Sequence, residues 1–191
     1  NTRRLLTLIN QLLDFRKVNS NKYLLNFTLV NINELVQETA GLFEPSVNKQ
    51  QKQISLSLPQ EPVIAAADKD SLTKIVSNLL NNAVKYSDKT IGVTLLKEAT
   101  SFVLQVRNDG EIIPKQHRLK IFEPFYRVDN HKENSSGIGL PLVKSLVELH
   151  HGEITYWEEK GLNCFSIVLP LNQEKVITLQ HEPQIPPEEE T

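Results

Sequence analysis

Ser77-Asn78-Leu79-Leu80-Asn81-Asn82-Ala83-Val84-Lys85-Tyr86-Ser87 is the stretch on which the reading of this chain turns. With Leu72, Ile75 and Val76 before it, the apolar positions Leu79, Leu80 and Ala83 recur at helical spacing, and Asp68 stands where an N-cap belongs. Asn78, Asn82 and Lys85 fall at i, i+4 and i+7 on a separate polar stripe. A solvated helix face ordinarily uses Glu, Lys and Arg, whereas Asn is a poor helix former. Asn78, Asn81 and Asn82 therefore need a reason. A neutral amide oxygen is a hard ligand suited to Mg²⁺, and a lysine one turn on is placed to meet phosphate. The alternative is an ordinary polar face.

Working outward, Leu5, Leu8, Leu12 and Phe15, widened by Leu6, Ile9 and Leu13, form a bundle or coiled-coil seam in a helix over residues 1–19. Its partner helix is expected on another chain or upstream; the alternative is that it folds back on the domain that follows. After a polar joint at 19–22, Leu25, Phe27 and Leu29 alternate as a strand. Asn31 and Glu34 resemble a capping box, and Ile32, Leu35, Val36, Thr39, Leu42 and Phe43 predict a helix running to Pro45. Ile54, Leu56 and Leu58 alternate again. Beyond the asparagine-bearing helix, strands are predicted at 90–96 and 101–107 as a hairpin, a helix at 140–150, and strands at 153–157 and 164–169. This order implies an α+β fold, a two-layer α/β sandwich of one mixed sheet with helices on one face, preceded by one bundle helix. Residues 1–20 form the bundle segment, 21–172 the sandwich, and 173–191, with three prolines and Glu188-Glu189-Glu190, a linker or tail.

Composition narrows the function classes. Lys and Arg number 21 against 23 Asp and Glu, for a net charge of −2, so there is no electrostatic footprint for nucleic acid. No long apolar run is present, so no membrane contact by this segment is expected. One cysteine, Cys164, excludes an internal disulfide and fits a reducing interior. The chain has 191 residues, no methionine and 7 glycines. The missing methionine reads as a piece of a longer protein.

Two further motifs stand out. Asn108-Asp109-Gly110, followed by Ile112, Ile113 and Pro114, ends a predicted strand. A side chain there can accept a hydrogen bond from a base amino group, and Gly110 permits close backbone approach; equally, Asn-Asp-Gly is a common turn. Ser135-Ser136-Gly137-Ile138-Gly139-Leu140 directly precedes a helix. Free N–H groups and the positive dipole end make such a start a phosphate site, or Gly137 simply makes the turn.

In this order the three motifs resemble those of sensor histidine kinases of two-component systems. Residues 77–87 resemble the N box, 106–114 a G1 box, Ile121 to Arg127 (IFEPFYR) the F box, and 137–143 the G2 box. The opening helix resembles the second helix of that family's dimerisation and phosphotransfer domain. The resemblance implies a Bergerat ATP-binding fold that holds ATP and Mg²⁺ between the N-box helix and a lid at 127–136. It gives Asn82 as the metal ligand and, with Lys85, a catalytic residue. Asn78, Lys85 and Tyr86 line the nucleotide site, Asn108, Gly110 and Ile113 the base, and Ser136, Gly137, Ile138, Gly139 and Leu140 the phosphates. Phe122 and Phe125 anchor the base of the lid.

The sequence departs from the family pattern in three places. Asn108 stands for the usual adenine-reading aspartate, Ile112 for a G1 glycine and Ser135 for a G2 glycine. Asp109 is a neighbouring carboxylate that could compensate. The gyrase, heat-shock and mismatch-repair ATPases fit less well: they carry a glutamate base one turn before the metal asparagine, where this chain has Asn78, and an amide is no general base. The nucleophile implied is therefore a histidine on the dimerisation helices, expected upstream of Asn1, so the fragment alone should not phosphorylate itself. His117, His131, His150, His151 and His181 read as structural or surface residues. The expected partners are ATP, a second copy through the bundle helix, the phosphotransfer domain, and a response regulator or receiver domain; the expected location is the cytoplasm, in a membrane-anchored parent. A degenerate module serving only as a scaffold is the alternative.

Overall fold

The computed structural model describes residues 2–20, 23–128 and 136–173. After α1 (Thr2–Asn19) come β1 (Phe27–Asn31), α2 (Ile32–Gly41), α3 (Glu44–Lys49), β2 (Gln53–Ser57), β3 (Ile64–Asp68) and α4 (Lys69–Tyr86). The hairpin β4 (Thr90–Lys97) and β5 (Ser101–Asn108) leads through single 3-10 turns to α5 (Gly139–Leu149), β6 (Glu153–Glu159) and β7 (Leu162–Pro170). The main sheet has the order β2-β4-β5-β7-β6, parallel between β2 and β4 and antiparallel elsewhere. A separate two-stranded ribbon joins β1 to β3.

The expected α+β sandwich, a mixed sheet with helices on one face, is what forms. Ile91, Val93 and Leu95 of β4, Leu104 and Val106 of β5, and Ile167 and Leu169 of β7 are buried in one core with Leu72, Ile75, Val76, Leu79 and Leu80 of α4 and Leu142, Val143, Leu146 and Val147 of α5. Each such side chain contributes roughly 1.5–3 kcal/mol of burial. The alternation puts Asn108, next after Val106 on that face, on the helix side of the sheet.

The helix starts follow their caps. Asp68 Oδ1 accepts from Ser71 N at 2.7 Å, and Asn31 Oδ1 from Glu34 N at 3.4 Å. The other end of α4 is held by Lys52, whose Nζ donates to Val84 O at 2.6 Å and Ser87 O at 2.8 Å, satisfying carbonyls at the negative dipole end.

Three expectations are corrected. Pro45 does not end the α2 segment: that helix stops at Gly41, and Pro45 lies in the first turn of α3, where its missing N–H would be unpaired in any case. In β1 the face is shifted, with Leu29 80% exposed and Val30 at 5%, because the strand pairs with β3 rather than with the main sheet. Strand β3 itself was not expected. Helix α1 lies beside α5 and is tied to α4 by an Asp14–Lys74 ion pair at 2.9 Å, while Leu6, Ile9 and Leu13 of its seam remain exposed. Most of the tail, His131 and His181 lie outside the described residues.

Candidate nucleotide site

The polar stripe of α4 separates into two kinds of asparagine. Asn78 is buried and bonded at both ends of its amide: its Nδ2 donates to Lys74 O at 2.7 Å, and its Oδ1 accepts from Gln11 Nε2 of α1 at 2.9 Å. Asn82, one turn on, is half-exposed, and its side chain forms no hydrogen bond among the described residues. Asn81 is exposed. Lys85 Nζ is buried with no hydrogen-bond acceptor among the described residues, 5.1 Å from the centre of the Tyr86 ring. A buried ammonium with no acceptor is costly, so this donor fits an anionic group, and a half-exposed amide oxygen next to it fits a hard cation.

The start of α5 closes against this stripe. A Cβ on Gly139 would lie 3.1 Å from Asn78 Oδ1, so the glycine allows the two helices their approach. Ser136 Oγ accepts from Ile138 N at 3.3 Å and donates to Gln11 Oε1 at 3.4 Å. Gly137 has φ 66°, and a Cβ there would come within 2.7 Å of the Phe125 backbone. Phe125 N donates to Gly137 O at 2.8 Å, which pins the F-box segment to the G2 segment. Of the two aromatic residues, Phe122 packs on the core while the Phe125 ring is exposed, so Phe125 is tied to Gly137 through its backbone; most of the expected lid, 129–135, lies outside the described residues.

The end of β5 forms a third wall. Gly110 approaches protein here: its Cβ would fall 1.7 Å from Tyr86 O. Asn108 Oδ1 accepts from Gly110 N at 3.2 Å and from Asn163 Nδ2 at 3.2 Å. Asn163, directly across the ladder on β7, also donates to Gly110 O and Glu111 O at 3.1 Å, and its Oδ1 accepts from Tyr156 Oη at 2.6 Å and Ile113 N at 3.3 Å. Asp109 is not available as a substitute for an aspartate at 108. Its carboxylate accepts from the N–H groups of Asp88, Lys89 and Thr90 at 3.0 Å. Burial pulls its pKa up, but these bonds outweigh that and leave it below the ordinary value.

Gly110, Tyr86, Asn108 and Ile113 are thus brought together, as are Asn78, Ser136 and Gly139. Asn163, Tyr156, Lys52 and Gln11 were not foreseen. An asparagine at a core-facing strand position was the one available signal, since Asn is depleted in strands. His150 is fully buried: Nδ1 bonds Leu146 O at 2.7 Å and Nε2 accepts from Asp68 N at 3.2 Å. His117 Nδ1 is hydrogen-bonded to the Tyr126 hydroxyl. No group of three or more His, Cys, Asp and Glu able to hold a metal occurs among the described residues, and no helix among them is long and apolar enough to cross a membrane.

Residues 67–173 match the family described as histidine kinase-, DNA gyrase B- and HSP90-like ATPase. The chain is 32% identical over 182 residues to hybrid signal transduction histidine kinase D of Dictyostelium discoideum, covering 90% of this chain and 12% of that protein. It is 30% identical over 174 residues to the heme sensor protein HssS of Staphylococcus aureus (strain Newman), covering 90% and 37%. The chain therefore spans well under half the length of these relatives. Among solved structures, the nucleotide-free catalytic domain of histidine kinase ThkA superposes with a TM-score of 0.73 at 27% identity, covering 79% of this chain and 99% of that one. ThkA in complex with the response regulator TrrA gives 0.75 at 26%, covering 91% and 49%. The chain belongs to the histidine kinase-, DNA gyrase B- and HSP90-like ATPase family, and within it to the ATP-binding catalytic domains of sensor histidine kinases.

Proposed function

We propose that residues 21–172 bind ATP with Mg²⁺ between α4 and residues 136–140 and direct the γ-phosphoryl group to a histidine outside this chain. The Lys85 ammonium carries the reading, its Nζ being buried with no hydrogen-bond acceptor among the described residues. In this arrangement Lys85 meets the phosphates, Asn82 Oδ1 holds the metal, the first N–H groups of α5 receive the phosphate oxygens, and Asn108 lies at the base. A bound Mg²⁺ would spread the charge that develops on the transferred group. The imidazole nitrogen of the acceptor attacks the γ-phosphorus as the bond to the β–γ bridging oxygen breaks, and ADP leaves. The amide at position 78 supplies no base for water, which favours transfer to a histidine over hydrolysis.

Helix α1 is read as the second helix of the dimerisation and phosphotransfer domain, pairing with a second copy through Leu6, Ile9 and Leu13, all exposed here. A response regulator or receiver domain then takes the phosphoryl group, on the cytoplasmic side of a membrane-anchored parent. A scaffold that has lost nucleotide binding is the second reading; the engagement of Asn78 by Gln11 favours it. Calorimetric titration with ATP and Mg²⁺ separates the two. Binding that disappears in Asn82→Ala is expected; no binding at millimolar nucleotide, or binding indifferent to Asn82, refutes the kinase reading. Labelled ATP should leave the chain unlabelled.

A further inference from the structure

The polarity at Asn108 is set by its neighbours. Asn163 has one possible orientation: Ile113 N–H faces its oxygen, and the carbonyls of Gly110 and Glu111 face its nitrogen. A flipped amide would set donor against donor and acceptor against acceptor. Asn163 Nδ2, sharing its two N–H groups among the Gly110 and Glu111 carbonyls and Asn108 Oδ1, therefore presents its donor side to Asn108, and Gly110 N–H points at the same atom. Both lone pairs of Asn108 Oδ1 are taken by these two donors, in a residue 3% exposed. Its Nδ2 makes no hydrogen bond with any described residue. The free end of this amide is a donor, on the helix-facing side of the sheet, beside the contact of Gly110 with Tyr86 at the end of α4.

Resting on the reading of this site as a nucleotide site, we propose that Asn163 fixes Asn108 so that the base wall offers a hydrogen-bond donor. The site then binds a 6-oxopurine nucleoside triphosphate at least as tightly as ATP. The adenine 6-amino group is itself a donor and would face Nδ2 unpaired, whereas the 6-oxo group of hypoxanthine or guanine accepts from it. An aspartate at 108 would reverse this: one carboxylate oxygen would take the Gly110 and Asn163 donors and the other would face the base as an acceptor.

The test is calorimetry of the full 191-residue chain with the Mg²⁺ complexes of ATP, ITP and GTP. ITP differs from ATP at the 6-position and its adjoining ring nitrogen alone, and lacks the 2-amino group of GTP. The expected result is a Kd for ITP equal to or below that for ATP, with Asn108→Asp moving the ratio about tenfold toward ATP, one pair of mismatched donors being worth that much. ATP binding more tightly than ITP to the unaltered chain overturns the proposal without need of any variant. A ratio that Asn108→Asp leaves in place, or moves toward ITP, also overturns it. Binding of none of the three removes the nucleotide-site reading itself, and this proposal with it.

Discussion

A Cβ on Gly110 would sit 1.7 Å from the carbonyl oxygen of Tyr86 and 3.2 Å from Asn108 Oδ1, so the loop after β5 closes on the end of α4 only as glycine. Gly110→Ala must push the loop and the helix apart. A loss of about 2–3 kcal/mol is expected from such overpacking against backbone, read as a lower urea midpoint, together with weakened nucleotide binding.

Asn78 and Asn82 should separate in experiment. Asn78→Ala removes a buried amide with bonds to Lys74 and Gln11 and should cost about 1–2 kcal/mol of stability. Asn82→Ala touches a half-exposed amide and should leave stability within about 0.5 kcal/mol while abolishing Mg²⁺-dependent ATP binding. Equal stability losses in the two variants would contradict the assignment.

Acid stability carries a signature of His150. Burial drives its pKa below the ordinary 6.5, against the opposing influence of Leu146 O and Asp68, with His151 adding to the fall. The folded state therefore keeps the ring neutral where the unfolded chain takes up a proton. Its contribution is complete above 6.5 and is lost as pH falls below that value. Asp68 acts lower. Burial raises its pKa, but bonds from Asn26 and Ser71 and the proximity of His150 outweigh this and hold it below 3.8, so its contribution disappears only as pH drops past that point. Urea midpoints should stay level from about pH 8 to pH 7 and fall between about pH 6.5 and pH 5. His150→Gln should be less stable at neutral pH and flatter across that second window.

The attachment of α1 rests on few polar contacts. Lys74 keeps a raised pKa because Asp14 and Tyr23 overcome the effect of burial, and the pair is partly exposed, so it is worth about 1 kcal/mol or less. Gln11→Ala with Asp14→Ala should speed hydrogen exchange throughout α1 while the amides of α4 keep their protection. Unchanged exchange in α1 would show that apolar packing alone holds it.

Helices α1, α4 and α5 were legible because their signals are local, whereas α3 and the stop of α2 at Gly41 were not. The Asp68 cap, the stripe from Leu72 to Ala83 and the glycine-bearing start of α5 each lie within a few turns of chain. Strand β3 was not, since Ala65, Ala66 and Ala67 have little strand preference and pair only because β1 lies alongside. The face of β1 was misread for the same reason: its partner, not its own alternation, decides which side is covered. At the site, the residue types at 78, 82, 85 and 108 were readable. The states of Asn78 and Asn108 were not, because they depend on Gln11 and Asn163, 67 and 55 positions away.

The His150 ring also bears on motion. Nε2 receives the N–H of the residue that caps the start of α4, while Nδ1 sits on the last turn of α5. The two helices that carry the polar stripe and the glycine-bearing turn are thus fastened at the ends remote from both. They resemble a pair of tongs riveted at the handle, with α4, about 27 Å long, as one arm. A displacement at the rivet is expected to shift the far ends of both helices. A substitution at Asp68, at His150 or at Phe27, whose ring meets His150 edge-on, is then expected to be felt at residues 78–85 and 136–140, which it does not touch.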